Sequence, residues 1–258
     1  MSIIQHEGEP FLFQRGRIGC ILVHGFSGAP KEMRWLGEHL ASEDFSVLGV
    51  RLFAHATKQE DMIRARWYDW LASVEDAYYT LYNICDHIVI LGLSMGGALS
   101  LIFASRFSVT GVIACSTPYK IPDRKIRVIR PMIPLISKVW RFAPKDETEW
   151  VEPGIGKDHL EYRSYPVRGG AEFLDLLREL RACLPQVKVP TLLIHSTKDA
   201  SVPYQDVKKI YNALGSEDKE LITLENCGHV VTRDAERHVV FNAAVDFFRK
   251  VTTVDPYP

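Results

Sequence analysis

The chain reads as an α/β protein in which helices cover both faces of a mostly parallel central sheet. Two patterns carry that expectation. Short runs that are apolar nearly throughout recur along the 258 residues, and stretches with apolar side chains at helical spacing separate several of them. A strand covered on both faces needs the first pattern, and a crossover helix lying on a sheet needs the second. Their alternation is what right-handed β–α–β connections generate. With 47 % hydrophobic and 24 % charged residues the composition is that of an ordinary globular chain, and α/β units of this length often form one core.

In chain order, strands are expected at 19–23, 45–50, 88–91, 111–114, 191–194 and 221–224. Pro30 opens a helix bearing Met33, Leu36 and Leu40, because proline is preset for the first turn. Trp67, Trp70, Leu71, Val74, Tyr78 and Leu81 mark a second helix, and Val240, Ala244, Phe247, Phe248 and Val251 one near the end. From Pro118 to about Gly170 no strand is evident. Prolines 118, 122, 131, 134 and 144 interrupt this segment, yet Ile126, Val128, Ile129, Met132, Ile133, Leu135, Ile136, Val139, Trp140 and Phe142 make it strongly apolar. Residues 120–141 also hold seven basic side chains against one acid, Asp123. A segment so long and so apolar is expected to fold as an inserted cap over 118–170, with 1–117 and 171–258 forming the core.

Charge and cysteine content narrow the function. A net charge of -1 supplies no field for nucleic acid, so none is expected as a partner. The five cysteines, at 20, 85, 115, 183 and 227, contain no C-x-x-C pair, and their odd number argues against a secreted disulfide framework. The N-terminal stretch is broken by charge and Pro10 before a signal-peptide core accumulates, and no run approaches eighteen apolar residues. A cytoplasmic protein without stable membrane insertion is expected. Docking of the basic, apolar cap on a membrane surface is a lesser expectation, because its prolines spoil a long amphipathic helix.

The sharpest local signal is Gly92-Leu93-Ser94-Met95-Gly96, a G-x-S-x-G between an apolar run and a helix-compatible stretch. A serine on so sharp a turn is tolerated when its neighbours carry no Cβ, which Gly92 and Gly96 provide, and Gly97 lets the helix approach. Its hydroxyl needs a base, and the base a carboxylate. Asp199 follows the run 191–194 and His229 follows 221–224, giving the order Ser, Asp, His. Asp206 is expected within the next helix. Of the other histidines, His6 lies near the terminus, His39 and His238 on helices, and His87 and His159 on the surface. His24 and His195 close strands and orient loops, and His55 is the one competitor for the base. Oxyanion donors are expected from the Met95 amide at the helix start and the Phe26 amide in His24-Gly25-Phe26-Ser27-Gly28. No phosphate loop, dinucleotide fingerprint or H-E-x-x-H is present, so no metal or nucleotide cofactor is expected.

On ILVHGFSGAP, ARWYDWLASVEDAY, GLSMGG, HSTKDASVP and SEDKELITLENCGHVVTRD the chain resembles the α/β-hydrolase superfamily, and within it bacterial carboxylesterases similar to monoacylglycerol lipases. The resemblance implies the α/β-hydrolase fold and hydrolysis of a small-molecule carboxylic ester by Ser94, Asp199 and His229, with Phe26 and Met95 as the oxyanion pair. It also implies a lid over an acyl pocket, to which Phe26, Met132, Ile136 and Trp140 are assigned; their apolar character suits an apolar acyl chain. Thioester or C–C bond hydrolysis and slow-turnover ligand reception remain open on the same residues. One departure stands out. Where such enzymes carry P-G-H-G-T, this chain has Phe53-Ala54-His55-Ala56-Thr57, so a loop needing positive φ must have moved or never needed it.

Overall fold

The computed structural model describes residues 3–120 and 130–253. Pro122, Asp123, Ile126, Val128 and Ile129 of the expected cap lie outside them. A short strand β1 (Phe11–Phe13) precedes β2 (Ile18–Val23), helix α1 (Lys31–Ser42) and β3 (Ser46–Val50). Then come α2 (Trp67–Tyr82), β4 (His87–Leu93), α3 (Met95–Ala104) and β5 (Gly111–Cys115). Helix α4 (Ile133–Val139) leads to a hairpin of β6 (Phe142–Pro144) with β7 (Ser164–Pro166), and α5 (Val167–Cys183) follows at once. The chain closes with β8 (Thr191–Ser196), α6 (Gln205–Ala213), β9 (Lys219–Leu224) and α7 (Arg237–Thr252).

The main sheet has the order β1-β3-β2-β4-β5-β8-β9 and is parallel except for β1, which pairs antiparallel with β3. Its two faces carry separate apolar layers. Leu36 and Leu40 of α1 pack with Phe247 and Phe248 of α7 on one side, while α2, α3, α5 and α6 cover the other through Trp70, Phe103, Leu180 and Ile210. Every residue of α3 is buried, which fits its central place and a sequence that is apolar apart from Ser100, whose hydroxyl donates to the Gly96 carbonyl at 2.8 Å. At roughly 25 cal/mol per Å² of apolar surface, such burial dominates the stability of a fold this size.

One strand was not foreseen, and two expectations need correction. Phe-Leu-Phe at 11–13 is an edge strand, invisible to periodicity because three residues carry no period. The segment 118–170 does contain strands, since Phe142–Pro144 pairs with Ser164–Pro166. Both strands end at proline, whose missing N–H is tolerated at a two-stranded edge. Finally, β9 is a sheet edge and only Leu224 of it is fully covered. Helix α5 begins at Val167, so the expected cap boundary at 170 falls within its first turn.

Candidate active site

Ser94 sits where β4 ends and α3 begins, with φ 56° and ψ −117°. This is a strained conformation for a residue with a side chain. The surroundings overdetermine it. The Ser94 amide donates to the Cys115 carbonyl at 2.8 Å, continuing the β4–β5 ladder one residue past the strand. A Cβ on Gly92 would strike the Gly96 carbonyl, and one on Gly96 would strike the Val23 carbonyl. One on Gly97 would meet the Thr117 hydroxyl. The strand, the turn and the helix can approach so closely because these three positions lack side chains.

Two strands away, the loop after β8 presents Asp199. Its Oδ1 accepts the amides of Ser201 (2.9 Å) and Val202 (2.8 Å), which fixes the carboxylate plane. Its Oδ2 faces His229 Nδ1 at 2.7 Å, on the loop that follows β9. Burial works against the Asp199 charge, but the His229 contact and the Val202 amide outweigh it and hold the carboxyl below its usual range. Because Nδ1 must carry the proton that Asp199 accepts, Nε2 of His229 is left as the basic nitrogen. The described hydrogen bonds therefore join the second and third expected residues, and none of them links the Ser94 hydroxyl to the ring.

The His229 loop is itself clamped. Asp234, fully buried, accepts the Gly228 amide at 2.6 Å and also those of Val151 (3.0 Å), Glu152 (2.8 Å) and Ala235 (2.8 Å). Asp206 likewise takes the Tyr119 amide at 3.0 Å from within α6, so it serves the start of the inserted segment and not the histidine. His195 donates from Nε2 to the Val202 carbonyl at 3.0 Å, with Asp199 3.5 Å away. Burial lowers its basicity, consistent with a loop-orienting role.

The loop 24–28 lies against Ser94, for a Cβ on Gly25 would come 3.5 Å from that of the serine. Among the described residues neither the Phe26 amide nor the Met95 amide has an acceptor; the Met95 amide directly follows Ser94, and that of Phe26 belongs to the loop packed against it. Such donors are what a developing oxyanion requires. Sequence reasoning missed how this loop is held. Glu32, in the first turn of α1, accepts the Gly25 amide at 2.8 Å and occupies the space a side chain on Gly28 would need. Burial pushes its carboxyl upward. Beside it lies His159, expected at the surface, whose side chain is only 5 % exposed and stands 3.6 Å from Glu32 and 3.3 Å from Glu161. Lys145 pairs with Glu161 and donates to Ser27 Oγ at 2.9 Å, and the Tyr162 amide donates to the Ser27 carbonyl at 2.9 Å. One of its partners, Glu32, comes from a remote part of the chain, which the charged local sequence around His159 does not reveal.

His24 and His55 support the same loop from below. His24 Nε2 accepts the Leu52 amide at 3.2 Å and Nδ1 donates to the Gly25 carbonyl at 2.9 Å, so the ring is neutral, and burial lowers it to about 4. His55 is fully buried, edge-on to Trp70, with a basicity pushed down mainly by burial. It packs edge-on to Phe26, and among the described residues it makes no hydrogen bond or ion pair with Asp199. The expectation for its loop was wrong on both counts. Ala54 (φ 63°) and Ala56 (φ 53°) adopt the left-handed conformation themselves. Tyr162 holds them there, its hydroxyl donating to the Ala54 carbonyl at 2.8 Å and accepting the Thr57 amide at 3.1 Å. Gly8 leaves the space that the Ala56 methyl fills.

Of the expected pocket residues, Phe26 stacks between Phe173 and Tyr165, at centroid distances of 5.2 and 5.7 Å. Ile136 is half-buried on α4, whereas Met132 and Trp140 at its ends are 58 % and 59 % exposed. Among the described residues no group of histidine, cysteine or acidic side chains could hold a metal ion, and no helix is long and apolar enough to cross a membrane.

A mostly parallel sheet with a strained serine at one strand's end, and an aspartate and histidine at the ends of two others, defines an α/β-hydrolase. Residues 15–236 match the family described as serine aminopeptidase, S33, and the chain belongs to it. It is 31 % identical over 243 residues to the thermostable monoacylglycerol lipase of Bacillus sp. (strain H-257), covering 94 % of each chain. To the carboxylesterase of Bacillus subtilis (strain 168) it is 25 % identical over 244 residues, covering 94 % of this chain and 97 % of that one. A solved structure described under LipS and LipT, two metagenome-derived lipolytic enzymes, superposes with a TM-score of 0.89 at 30 % identity, over 96 % of this chain and 99 % of the other.

Proposed function

We propose that the protein is a serine carboxylic-ester hydrolase of monoacylglycerol-lipase type, with Ser94 as nucleophile, His229 as base and Asp199 as the group that orients it. In this reading Ser94 Oγ attacks the ester carbonyl carbon while His229 Nε2 takes its proton, and the Phe26 and Met95 amides meet the oxyanion. Collapse expels the alcohol, which receives the proton from His229, and leaves an acyl-serine. Water then repeats the sequence and frees the acid. Substrate entering the cleft brings the serine hydroxyl and the imidazole into contact, as catalytic hydrogen bonds often tighten only in the complex.

The observation that carries this reading is the 2.7 Å Asp199–His229 pair set two strands from a serine elbow, with the Phe26 and Met95 amides lacking an acceptor among the described residues. In the same proposal the segment 118–170 is a lid, and Phe26, Met132, Ile136 and Trp140 line the path of an apolar acyl chain. All five cysteines are free and buried, which suits a cytoplasmic setting.

Reaction with alkyl fluorophosphonates of increasing length, followed by peptide mapping, tests the nucleophile and the pocket together. Label on Ser94 that strengthens with chain length is expected, and label elsewhere would overturn the assignment. Multiple turnovers on acyl esters, with slower turnover of thioesters and diketones, separates esterase from the other reactions open to the triad.

A further inference from the structure

The cap carries charge that ester hydrolysis does not use. A cavity of about 420 Å³ opens between α4, the first turn of α5 and the segment before α2, lined by Ile63, Arg66, Ser137, Lys138, Arg141 and Arg168. Four of those six are cations. The buried Glu172 lies 3.1 Å from Arg168 Nη2 and 3.8 Å from Arg66 Nε, so one carboxylate serves two guanidinium groups. Among the described residues Lys138 and Arg141 have no carboxylate partner; Arg141 rests only against the Phe142 ring. The Nε of Arg168 is shut off from solvent and has no acceptor.

A buried donor left unpaired is costly, and like charges gathered around one space repel until something neutralises them. Arg66 is also held in place, donating to the carbonyls of Arg64 at 3.1 Å and Ala65 at 2.8 Å, so part of the site is preformed. Planar guanidinium forks with a point ammonium suit a tetrahedral oxyanion, which accepts from several donors at once. We propose that this cavity binds a phosphate-type anion, either free or as the headgroup of an anionic lipid. The site is distinct from the serine elbow and stands whether or not Ser94 is the nucleophile.

Isothermal titration of the full-length protein with inorganic phosphate, at low and high salt, reads the binding directly. Lys138 and Arg141 are both exposed, so the double variant K138A/R141A should keep the fold and its turnover of a short soluble ester. Binding on the order of 1 mM or tighter at low salt is expected, weakened at least ~10-fold by high salt and by the double substitution. Sedimentation with phosphatidylglycerol vesicles, against phosphatidylcholine, separates the two sources. Capture by the anionic vesicles that the variant loses assigns the headgroup, and phosphate binding without capture assigns the free ion. The proposal is overturned if neither probe binds, or if the double variant binds as well as the parent.

Discussion

Glu32 accepts the amide hydrogen of Gly25 at 2.8 Å from within the protein, while the next amide, that of Phe26, has no acceptor among the described residues. The loop is thus satisfied at Gly25 and left with a free donor at Phe26. A carboxylate buried to 5 % exposure at this place trades solvation for the orientation of a neighbouring peptide.

Glu32→Gln and Glu32→Ala separate that role from simple burial. The glutamine oxygen can still accept from Gly25, so stability at neutral pH and kcat should stay close to those of the parent. The alanine strands a dry N–H and should cost about 1–3 kcal/mol in urea unfolding. On the proposed mechanism, in which this loop supplies a transition-state donor, it should also lower kcat more than it raises KM. Equal behaviour of the two variants would remove Glu32 from the account.

Asp199→Asn keeps the shape of the side chain but loses the charge that fixes the His229 tautomer. A drop in kcat of roughly 10³–10⁴-fold with an unchanged fold is the expected result. Steady-state kinetics on a soluble ester, with circular dichroism as the control for folding, checks it.

The elbow glycines respond to a methyl group in opposite ways from an open one. Gly96→Ala drives a Cβ into the Val23 main chain, which cannot yield, and should cost about 3 kcal/mol. Gly170→Ala, in α5 with open space around it, should stabilise by about 0.5–1 kcal/mol through helix propensity. Chemical denaturation of the pair reads both signs.

Alanine at φ 63° or 53° is held against its backbone preference by about 1–2 kcal/mol. Ala54→Gly and Ala56→Gly remove that strain but add freedom to the unfolded chain, about 0.5–1 kcal/mol of opposing effect. Each should therefore gain up to about 1 kcal/mol in unfolding free energy. A clear loss would mean that the methyl packing near Gly8 and Tyr162 matters more than the dihedral.

Glu161 links acid stability to the inserted segment. Burial alone would raise its carboxyl, but His159 and Lys145 more than reverse this and bring it down to about 2. A lowered carboxyl stabilises fully above its ordinary value of 4.5, and the contribution is lost as pH falls toward about 2. Melting temperatures measured from pH 6 to pH 2.5 should fall through that window, and more shallowly in Glu161→Gln.

Much of the core was legible because its signals are local. The strand, turn and helix around Ser94 lie within a few residues of one another, and Asp199 and His229 each follow an apolar run directly. What escaped depends on neighbours far along the chain. The pairing of β6 with β7 spans a long insertion, and buried His159 stands 3.6 Å from Glu32, far upstream in α1, although its own flanks are charged. Residues 53–57 were misjudged for a related reason, since the groups that hold two alanines in the left-handed state, Tyr162 and Gln5, are remote in sequence.

Asp234 ties Gly228 to Val151 and Glu152 with a single carboxylate. Displacing residues 151 and 152 would therefore also disturb the carboxylate that holds the Gly228 amide, next to His229. One side chain thus anchors the inserted segment and the loop that carries His229 to the same point of the fold.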